Sequence, residues 1–259
     1  MKTIAISGKG GTGKTTIAAL IIRWLSDHVT KSILAVDADS NVNLNDLLGV
    51  ELRETVGGIR EEMRSLVSNL PGGMTKQQYL EYKIQASLVE TPAFDLLAMG
   101  RPEGPGCYCY ANNLLRDILR SLGSNYEFVV IDNEAGMEHL SRRTTQNIDH
   151  LLIVSDPMPR GIMAAGRISR LLQELETRIR AKYLILNRAS HPLPDSVQEL
   201  IAKEGLSLVA TIPEDEKLLK ADQTRIAVWP LLPQTAAYGA IDPMLRKVIL
   251  LDKGVGRAL

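Results

Sequence analysis

Cysteine is scarce in this sequence: two of the 259 residues are cysteine, at positions 107 and 109. So few thiols exclude a fold held together by a disulfide framework. Because Cys107 and Cys109 are separated by a single residue, they are also badly placed to form a disulfide with each other. We therefore expect a reduced protein of the cytoplasm.

The sequence also lacks a net charge and long apolar runs. Lysine plus arginine and aspartate plus glutamate both number 30, which gives a formal net charge of zero. Proteins that bind nucleic acid mainly through its phosphates are usually basic, so we expect no nucleic-acid partner. No apolar stretch approaches the roughly 20 residues that span a bilayer, and residues 1–7 are too short an apolar run for a signal peptide. The sequence therefore predicts no membrane span.

The composition is close to that of an average globular protein, with 45% apolar and 23% charged residues. It excludes a disordered chain, a collagen-like chain and a coiled coil. Short apolar runs alternate with longer amphipathic segments, which predicts an α/β fold: one doubly wound, mostly parallel sheet with helices on both faces. The predicted strands are 3–7, 32–37, 94–99, 128–132, 151–155, 183–187 and 206–212. The predicted helices are 14–27, 111–122, 139–147, 160–178, 195–203 and 214–221.

Two stretches interrupt this alternation. Residues 51–91 are polar and contain Pro-Gly-Gly, so we expect surface helices inserted into a single domain that covers residues 1–259. Residues 100–106 are dense in glycine and proline and lead into the cysteine pair, which predicts a Cys-x-Cys loop around 100–110. Residues 244–251 form a short amphipathic pattern, which we interpret as a docked helix rather than a membrane-surface helix.

A phosphate-binding pattern follows the first predicted strand. Residues 8–16 read Gly-Lys-Gly-Gly-Thr-Gly-Lys-Thr-Thr and match G-x-x-x-x-G-K-[ST]. Glycines allow consecutive backbone N–H groups to converge on phosphate oxygens, and the next helix adds the positive end of its dipole. Lys14 would bring charge to the β- and γ-phosphates, and Thr15 would offer a hydroxyl ligand to Mg²⁺. The residues expected to contact the nucleotide here are Gly10, Gly11, Thr12, Gly13, Lys14, Thr15 and Thr16.

A second lysine lies inside this loop, at position 9. An ordinary phosphate-binding loop does not need it. With it, the loop resembles the deviant Walker A motif of the MinD/ParA/nitrogenase-iron-protein group of ATPases. The resemblance implies ATP as substrate, a homodimer, and a Lys9 that reaches across the dimer to the partner's nucleotide. Lys9 and Lys14 would then both act in catalysis.

Carboxylates are predicted at the carboxyl ends of two strands, where the ligand crevice of a parallel sheet lies. Asp37 and Asp39 end the second strand, and Asp132 ends a later apolar run at the usual Walker B position. The resemblance implies that Asp39 orients the attacking water and helps to hold Mg²⁺, and that Asp37 supports the water shell of the metal. Asp132 would hold a metal-bound water. Phosphoryl transfer needs little more from the protein than such positioning and charge neutralisation.

The base of the nucleotide would lie at the ends of two further strands. Asn187 ends the strand predicted at 183–187, and Pro213 follows the strand predicted at 206–212. The resemblance to the same ATPase group makes Asn187 the amide that reads adenine, with the backbone of Pro213 nearby.

The pair Cys107 and Cys109 cannot enclose a metal ion alone. On a two-fold axis, however, two copies would supply four sulfurs. Four soft ligands suit Zn²⁺, Ni²⁺, Cu(I) or an iron–sulfur cluster, and the sequence does not choose among them.

A wider resemblance rests on two segments, Met-Gly-Arg-Pro-Glu-Gly-Pro-Gly-Cys-Tyr-Cys at 99–109 and Asp-Asn-Glu-Ala-Gly-Met-Glu-His at 132–139. Together with the loop at 8–16 they resemble the CooC/AcsF family of nickel-binding maturation ATPases. The resemblance implies an ATP-driven metallochaperone that dimerises with nucleotide. It would carry Ni²⁺, or Zn²⁺ at the same cysteines, and serve a nickel enzyme client, carbon monoxide dehydrogenase or acetyl-CoA synthase.

Two alternatives come from the same ATPase group. A positioning ATPase of the MinD/ParA type would need a membrane-binding tail or a basic DNA surface, and neither is strong in this sequence. A redox ATPase of the nitrogenase-iron-protein type would hold a shared iron–sulfur cluster, but the cluster cysteines of that family lie far apart in sequence.

Overall fold

The computed structural model describes residues 1–65, 73–101, 122, 125–134, 147–174 and 178–250. The strands within these residues are β1 (Lys2–Gly8), β2 (Ile33–Ala38), β3 (Val89–Glu90), β4 (Asp95–Ala98), β5 (Phe128–Asn133), β6 (Asn147–Ser155), β7 (Arg178–Asn187) and β8 (Leu208–Ile212). They form one eight-stranded sheet in the order β3-β4-β2-β5-β1-β6-β7-β8. β3 is antiparallel to β4, and every other neighbouring pair is parallel.

The helices of the same residues connect these strands. The α-helices are α1 (Lys14–His28), α2 (Leu44–Leu48), α3 (Val56–Ser65), α4 (Lys76–Ser87), α5 (Pro159–Glu174), α6 (Asp195–Lys203), α7 (Glu216–Thr224) and α8 (Ala236–Leu245). A 3₁₀-helix at Leu232–Gln234 precedes α8, and a π-helical turn at Arg246–Leu250 follows it.

Helices cover both faces of the sheet. On β2, Ile33 and Ala35 pack with α1 and α8, whereas Leu34 and Val36 pack with α3 and α4 on the opposite face. A third apolar cluster joins β6 and β7 to α5 and α6. Because successive side chains of a strand point to opposite faces, this alternation buries the sheet on both sides. The predicted doubly wound α/β fold is confirmed.

The topology brings the predicted site residues to one edge. β1 lies between β5 and β6. The chain first builds the side of the sheet that contains β2, reached from β1 through α1, and later builds the opposite side with β6, β7 and β8. The carboxyl ends of β1, β2, β5, β7 and β8 all meet at the same edge of the sheet. In open parallel sheets this edge, at the strand where the order reverses, is where ligands bind.

Two predicted helix ends are wrong. The helix predicted at 160–178 is described as far as Glu174 and cannot reach Arg178, which already belongs to β7. The helix predicted to reach residue 147 does not do so, because Asn147 is the first residue of β6. Asn147 pairs with Arg178, so both strands extend beyond their apolar segments. The strand start predicted at 151 is therefore too late, since backbone pairing carries a polar stretch that apolar patterning does not detect.

Two further boundaries shift because of local capping. β8 starts at Leu208 rather than at 206, since the N–H groups of Gly205 and Leu206 hydrogen-bond to carbonyl groups at the end of α6. α7 starts at Glu216 rather than at 214, since Asp215 is its N-cap and accepts hydrogen bonds from two N–H groups of its first turn. Each cap fixes the point at which regular structure begins.

The polar stretch at 51–91 contains α3, α4 and β3. Lys83 links the two helices by ion pairs of 3.0 Å to Glu54 and 2.7 Å to Glu62, and the hydroxyl of Tyr79 donates to Glu62. Whether this stretch is an insertion in one domain over 1–259 stays a prediction. At the other end, the helix predicted at 244–251 is the end of α8 and the π-helical turn, and Ile249 packs into the core.

Candidate functional site

The segment between β1 and α1 forms a tight loop. Gly11 (φ 79°) and Gly13 (φ 89°) adopt left-handed conformations that residues with a side chain rarely adopt. Gly13 is the N-cap of α1, and its carbonyl accepts a hydrogen bond of 3.0 Å from the N–H of Ile17. The first N–H groups of a helix have no intrahelical partner, so they and the positive end of the α1 dipole face this loop.

Three carbonyl groups of the loop accept hydrogen bonds, one from within the loop and two from the end of β7. The carbonyl of Lys9 accepts from the N–H of Thr12 at 3.4 Å and from its hydroxyl at 2.8 Å. The carbonyl of Thr12 accepts from Nδ2 of Asn187 at 2.9 Å, and that of Gly11 accepts from the guanidinium of Arg188. Apart from the N–H of Thr12, the N–H groups of the loop are thus left for the phosphate oxygens of a ligand.

The two lysines of the loop have different surroundings. Lys14 is buried, with 7% of its surface exposed, at the start of α1. Lys9 is exposed to solvent. A buried ammonium group beside the loop can neutralise phosphate charge within one molecule, whereas an exposed one is accessible to a second molecule.

Asp132, at the end of β5, lies beside the start of α1. Its carboxylate interacts with the side chain of Thr15. Burial raises the pKa of Asp132 to about 7; the interaction with Thr15 and the charge of Lys14 oppose this shift, and the carboxylates of Asp37 and Asp39 add to it. Oδ1 of Asp132 is buried and has no hydrogen-bond partner among the described residues. A buried acceptor without a donor is costly, so this atom is suited to a cation or a bound water.

Asp37 is fully buried and caps α2. Its Oδ2 accepts from the N–H groups of Asn43 and Leu44, both at 2.9 Å, and its Oδ1 accepts from the N–H of Asp39 at 3.0 Å. Burial raises its pKa, against these three hydrogen bonds. Asp37 therefore fixes the turn that carries Asp39, and its predicted part in the water shell of a metal stays a prediction.

Asp39 is half-buried and lines the cleft at this edge of the sheet. Its Oδ1 accepts a hydrogen bond of 2.9 Å from the N–H of Asn41. Together with the hydroxyl of Thr15 and the free oxygen of Asp132, it provides a set of hard oxygen donors. Mg²⁺ prefers such oxygens and usually binds one or two of them together with waters and phosphate oxygens. These residues therefore fit a magnesium ion bound with a nucleotide.

The cleft has a volume of about 1340 Å³ and extends from the loop to the ends of β7 and β8. Asn187 and Pro213, the two residues predicted near the base, both line it. Asn187 is buried, and its Nδ2 is already bound to the carbonyl of Thr12. The geometry thus links the predicted base end to the phosphate end, while adenine recognition stays a prediction.

Cys107 and Cys109 lie outside the described residues, as do most of the loop predicted around 100–110 and most of the helices predicted at 111–122 and 139–147. Across the described ranges, no group of three or more histidine, cysteine, aspartate or glutamate side chains is arranged to hold a metal ion. This does not conflict with the predicted magnesium site, because Mg²⁺ would take most of its ligands from Thr15, water and phosphate. The sulfur site stays a prediction.

None of the helices in the described part of the chain is both long enough and apolar enough to cross a bilayer.

Comparison with known proteins gives the family of this chain. Residues 3–228 match the CbiA family, described as the CobQ/CobB/MinD/ParA nucleotide binding domain. An ATP-binding protein of Methanocaldococcus jannaschii, itself described as uncharacterised, is 46% identical over 248 residues, which are 95% of this chain and 98% of that protein.

Two other similarities are more distant. The carbon monoxide dehydrogenase accessory protein CooC of Rhodospirillum rubrum is 30% identical over 258 residues, which are 95% of this chain and 97% of that protein. The septum site-determining protein MinD of Pyrococcus horikoshii, solved as a complex with Mg-ADP, has a TM-score of 0.70 at 23% identity and covers 99% of both chains. At that level of identity the MinD structure supports the fold alone.

Two contacts of the site are missing from the sequence interpretation. Arg188 had no assigned role, although it contacts the loop carbonyl of Gly11. The cap that Asp37 forms on α2 was also missed, because α2 itself was not predicted. The pattern Asp-x-Asp followed by Asn-Val-Asn was the available signal, since aspartate is a common acceptor for N–H groups at the start of a helix.

Proposed function

The chain belongs to the CobQ/CobB/MinD/ParA family of nucleotide-binding domains, and on this premise we propose that it is an ATPase that works as a nickel metallochaperone. ATP and water would become ADP and phosphate, and nucleotide binding would bring two chains together. The observation that carries the ATPase part is the loop at 8–16 beside the Thr15–Asp132 pair.

Each residue of the loop would have one task. The N–H groups of the loop and the start of α1 would bind the phosphates, and Lys14 would neutralise the β- and γ-phosphates. Thr15, Asp39 and Asp132 would hold Mg²⁺ directly or through water. When bound, Mg²⁺ supplies positive charge that offsets the charge of the phosphates. Asp39 would orient the attacking water for in-line attack on the γ-phosphorus.

The dimer would complete the site. The exposed Lys9 would reach the phosphates bound by the partner molecule. In other NTPases a cation supplied in trans acts in the same way. Closing two copies over the nucleotides would also exclude water and strengthen these charges. ATP binding would thereby favour the dimer, and hydrolysis would release it.

The metal cargo would bind at the two Cys-x-Cys loops. Four sulfurs, two from each chain, would hold one Ni²⁺ in the closed dimer and lose affinity when it opens. The similarity to CooC over most of both chains supports this part of the proposal, as do the segments at 99–109 and 132–139. The client would be a nickel enzyme such as carbon monoxide dehydrogenase or acetyl-CoA synthase.

The test is an anaerobic nickel titration combined with sedimentation, with and without a non-hydrolysable ATP analogue. We expect one Ni²⁺ per two chains with the analogue, and loss of this binding in the double variant Cys107→Ser/Cys109→Ser. That variant should still bind ATP, which shows that it is folded. Lys14→Ala is the matched control: it keeps both thiols but should lose the dependence of nickel affinity on nucleotide.

Equal nickel affinity in the wild type and the double cysteine variant would rule out the chaperone function and leave an ATPase. Co-sedimentation with liposomes or DNA only in the presence of ATP would instead favour a positioning ATPase of the MinD/ParA type. A brown protein with a reducible cluster after anaerobic purification would favour the redox alternative.

A further inference from the structure

β7 ends in two adjacent residues that both reach back to the phosphate loop. Nδ2 of Asn187 donates to the carbonyl of Thr12, and the guanidinium of Arg188 donates to the carbonyl of Gly11. We propose that Arg188 is a positioning residue of the phosphate loop, and that Asn187 and Arg188 form a two-point clamp on consecutive loop carbonyls. Only the effect of this clamp on nucleotide binding rests on the proposed ATPase function.

The backbone at Arg188 is shaped for this contact. Arg188 has φ 53°, a left-handed conformation that residues with a side chain seldom adopt. It is held between the last pair of β7 and β8, Asn187 with Ile212, and a hydrogen bond of 3.0 Å from the N–H of Ala189 to the carbonyl of Ile212. A conformation of this kind persists only where its surroundings impose it, and it is most common at functional sites.

The chemistry of the clamp follows from the direction of the loop carbonyls. Phosphate oxygens repel carbonyl oxygens and attract N–H groups, so each peptide of the loop must keep its carbonyl away from the ligand. The peptide between Gly11 and Thr12 follows a glycine in a left-handed conformation and is therefore easily rotated. A guanidinium only donates hydrogen bonds, so Arg188 can stabilise only the orientation in which the Gly11 carbonyl points to it.

The clamp would act before any ligand arrives. Holding the loop in its binding conformation reduces the conformational entropy that is lost when the phosphates bind. Because this benefit concerns the loop alone, it should be the same for every ligand that places phosphates there, whatever its base. A direct contact of Arg188 with the base or with the reacting phosphate would act differently on such ligands.

The test compares Arg188→Met, which removes the donor at similar length, with Arg188→Lys, which keeps a charged donor. Methionine and lysine both carry a Cβ atom, so both variants must adopt the same left-handed backbone conformation at position 188. We expect the Kd of Arg188→Met for Mg-ATP, Mg-ADP and tripolyphosphate to rise by the same factor, about five- to tenfold, the size expected for one hydrogen bond to a charged donor near the surface. KM should rise with it while kcat stays within about twofold, and Arg188→Lys should recover most of the affinity.

Arg170→Met is the matched control, since Arg170 lies on α5 in an exposed ion pair of 2.7 Å with Glu204. It should behave as the wild type. A fall in kcat at unchanged affinity would make Arg188 a contact of the transition state and overturn the clamp. Weaker binding of ATP without weaker binding of tripolyphosphate would make it a base contact and overturn the clamp as well.

A second measurement needs no nucleotide and so separates the clamp from the proposed ATPase function. Amide hydrogen exchange of residues 9–13 in the ligand-free protein should be faster in Arg188→Met than in the wild type, and unchanged in Arg170→Met. Equal exchange in Arg188→Met and the wild type would overturn the clamp even if the protein proved to be an ATPase.

Discussion

A Cβ atom placed on Gly13 would lie 2.2 Å from Nδ2 of Asn187, so the phosphate loop and the end of β7 approach as closely as a glycine allows. The two residues are far apart in sequence, and the same Nδ2 donates to the carbonyl of Thr12. The start of α1 and the end of β7 are thus fitted to each other at the edge of the sheet.

This contact predicts different outcomes for two alanine substitutions in the loop. Gly11 and Gly13 are both left-handed, but a Cβ on Gly11 would meet nothing within 4 Å. We expect Gly11→Ala to lower the free energy of unfolding by about 1–2 kcal/mol, the cost of a left-handed alanine. Gly13→Ala carries that cost and also displaces Asn187, so it should destabilise more and weaken ATP binding at least about tenfold. Urea unfolding and titration with a fluorescent ATP analogue measure both effects.

The control is to repeat Gly13→Ala in an Asn187→Ala background. Without the amide the added methyl group has room, so Gly13→Ala should cost less there than in the wild type. If Gly11→Ala and Gly13→Ala lowered the free energy of unfolding equally, the contact with Asn187 would contribute nothing measurable to stability.

The pKa of Asp132 predicts a pH dependence of stability in the nucleotide-free protein. Folding raises this pKa from the ordinary aspartate value of 3.8 to about 7, mainly through burial. Between these two values the folded protein keeps a proton that the unfolded chain has released. The contribution of Asp132 to stability therefore falls as the pH rises from about 4 to about 7, and stays low above the folded pKa.

Asp132→Asn cannot ionise, so it should become steadily more stable relative to the wild type across this pH range. Urea unfolding of both proteins at pH 5 and pH 8, with a chelator present, measures the difference. Groups that titrate alike in both proteins cancel in this comparison. A wild type that gains stability over Asp132→Asn on going from pH 5 to pH 8 would contradict the prediction.

The exposure of Lys9 predicts a defect that appears only in the dimer. Lys9→Ala should leave the Kd for ADP within about twofold of the wild-type value, because ADP binding needs one chain only. Sedimentation with a non-hydrolysable ATP analogue should show no doubling of mass, and turnover should fall on the order of 10³–10⁵-fold, as expected when a cation supplied in trans is lost.

Lys31→Ala provides a matched control for charge, because Lys31 is also exposed but precedes β2, at the opposite edge of the sheet from the loop. It should dimerise and turn over as the wild type does. A Lys9→Ala protein that doubles its mass with the analogue and hydrolyses ATP normally would refute the action in trans.

The sequence predicted most of the sheet and the phosphate loop because both depend on patterns among residues that are close together in the chain. The apolar run of β2 and the glycine and lysine positions of residues 8–16 are properties of neighbouring residues, and strand geometry and backbone sterics act at that range. The prediction failed at Asn147, where a polar stretch is held in β6 by pairing with Arg178. It was incomplete at Asp37, whose carboxylate was assigned to a metal although three backbone N–H groups bind it.

The sequence by itself determined the phosphate loop, the order of strands and helices along the chain, and the residue types that could bind phosphate and magnesium. Tertiary structure alone decided which oxygens of the site are engaged: Thr12 and Gly11 receive their donors from Asn187 and Arg188, 175 and 177 positions away. It also decided that Oδ1 of Asp132 is buried without a donor among the described residues. The reason is that local chemistry fixes what a residue can donate or accept, whereas the packing of distant strands fixes which partner is within reach.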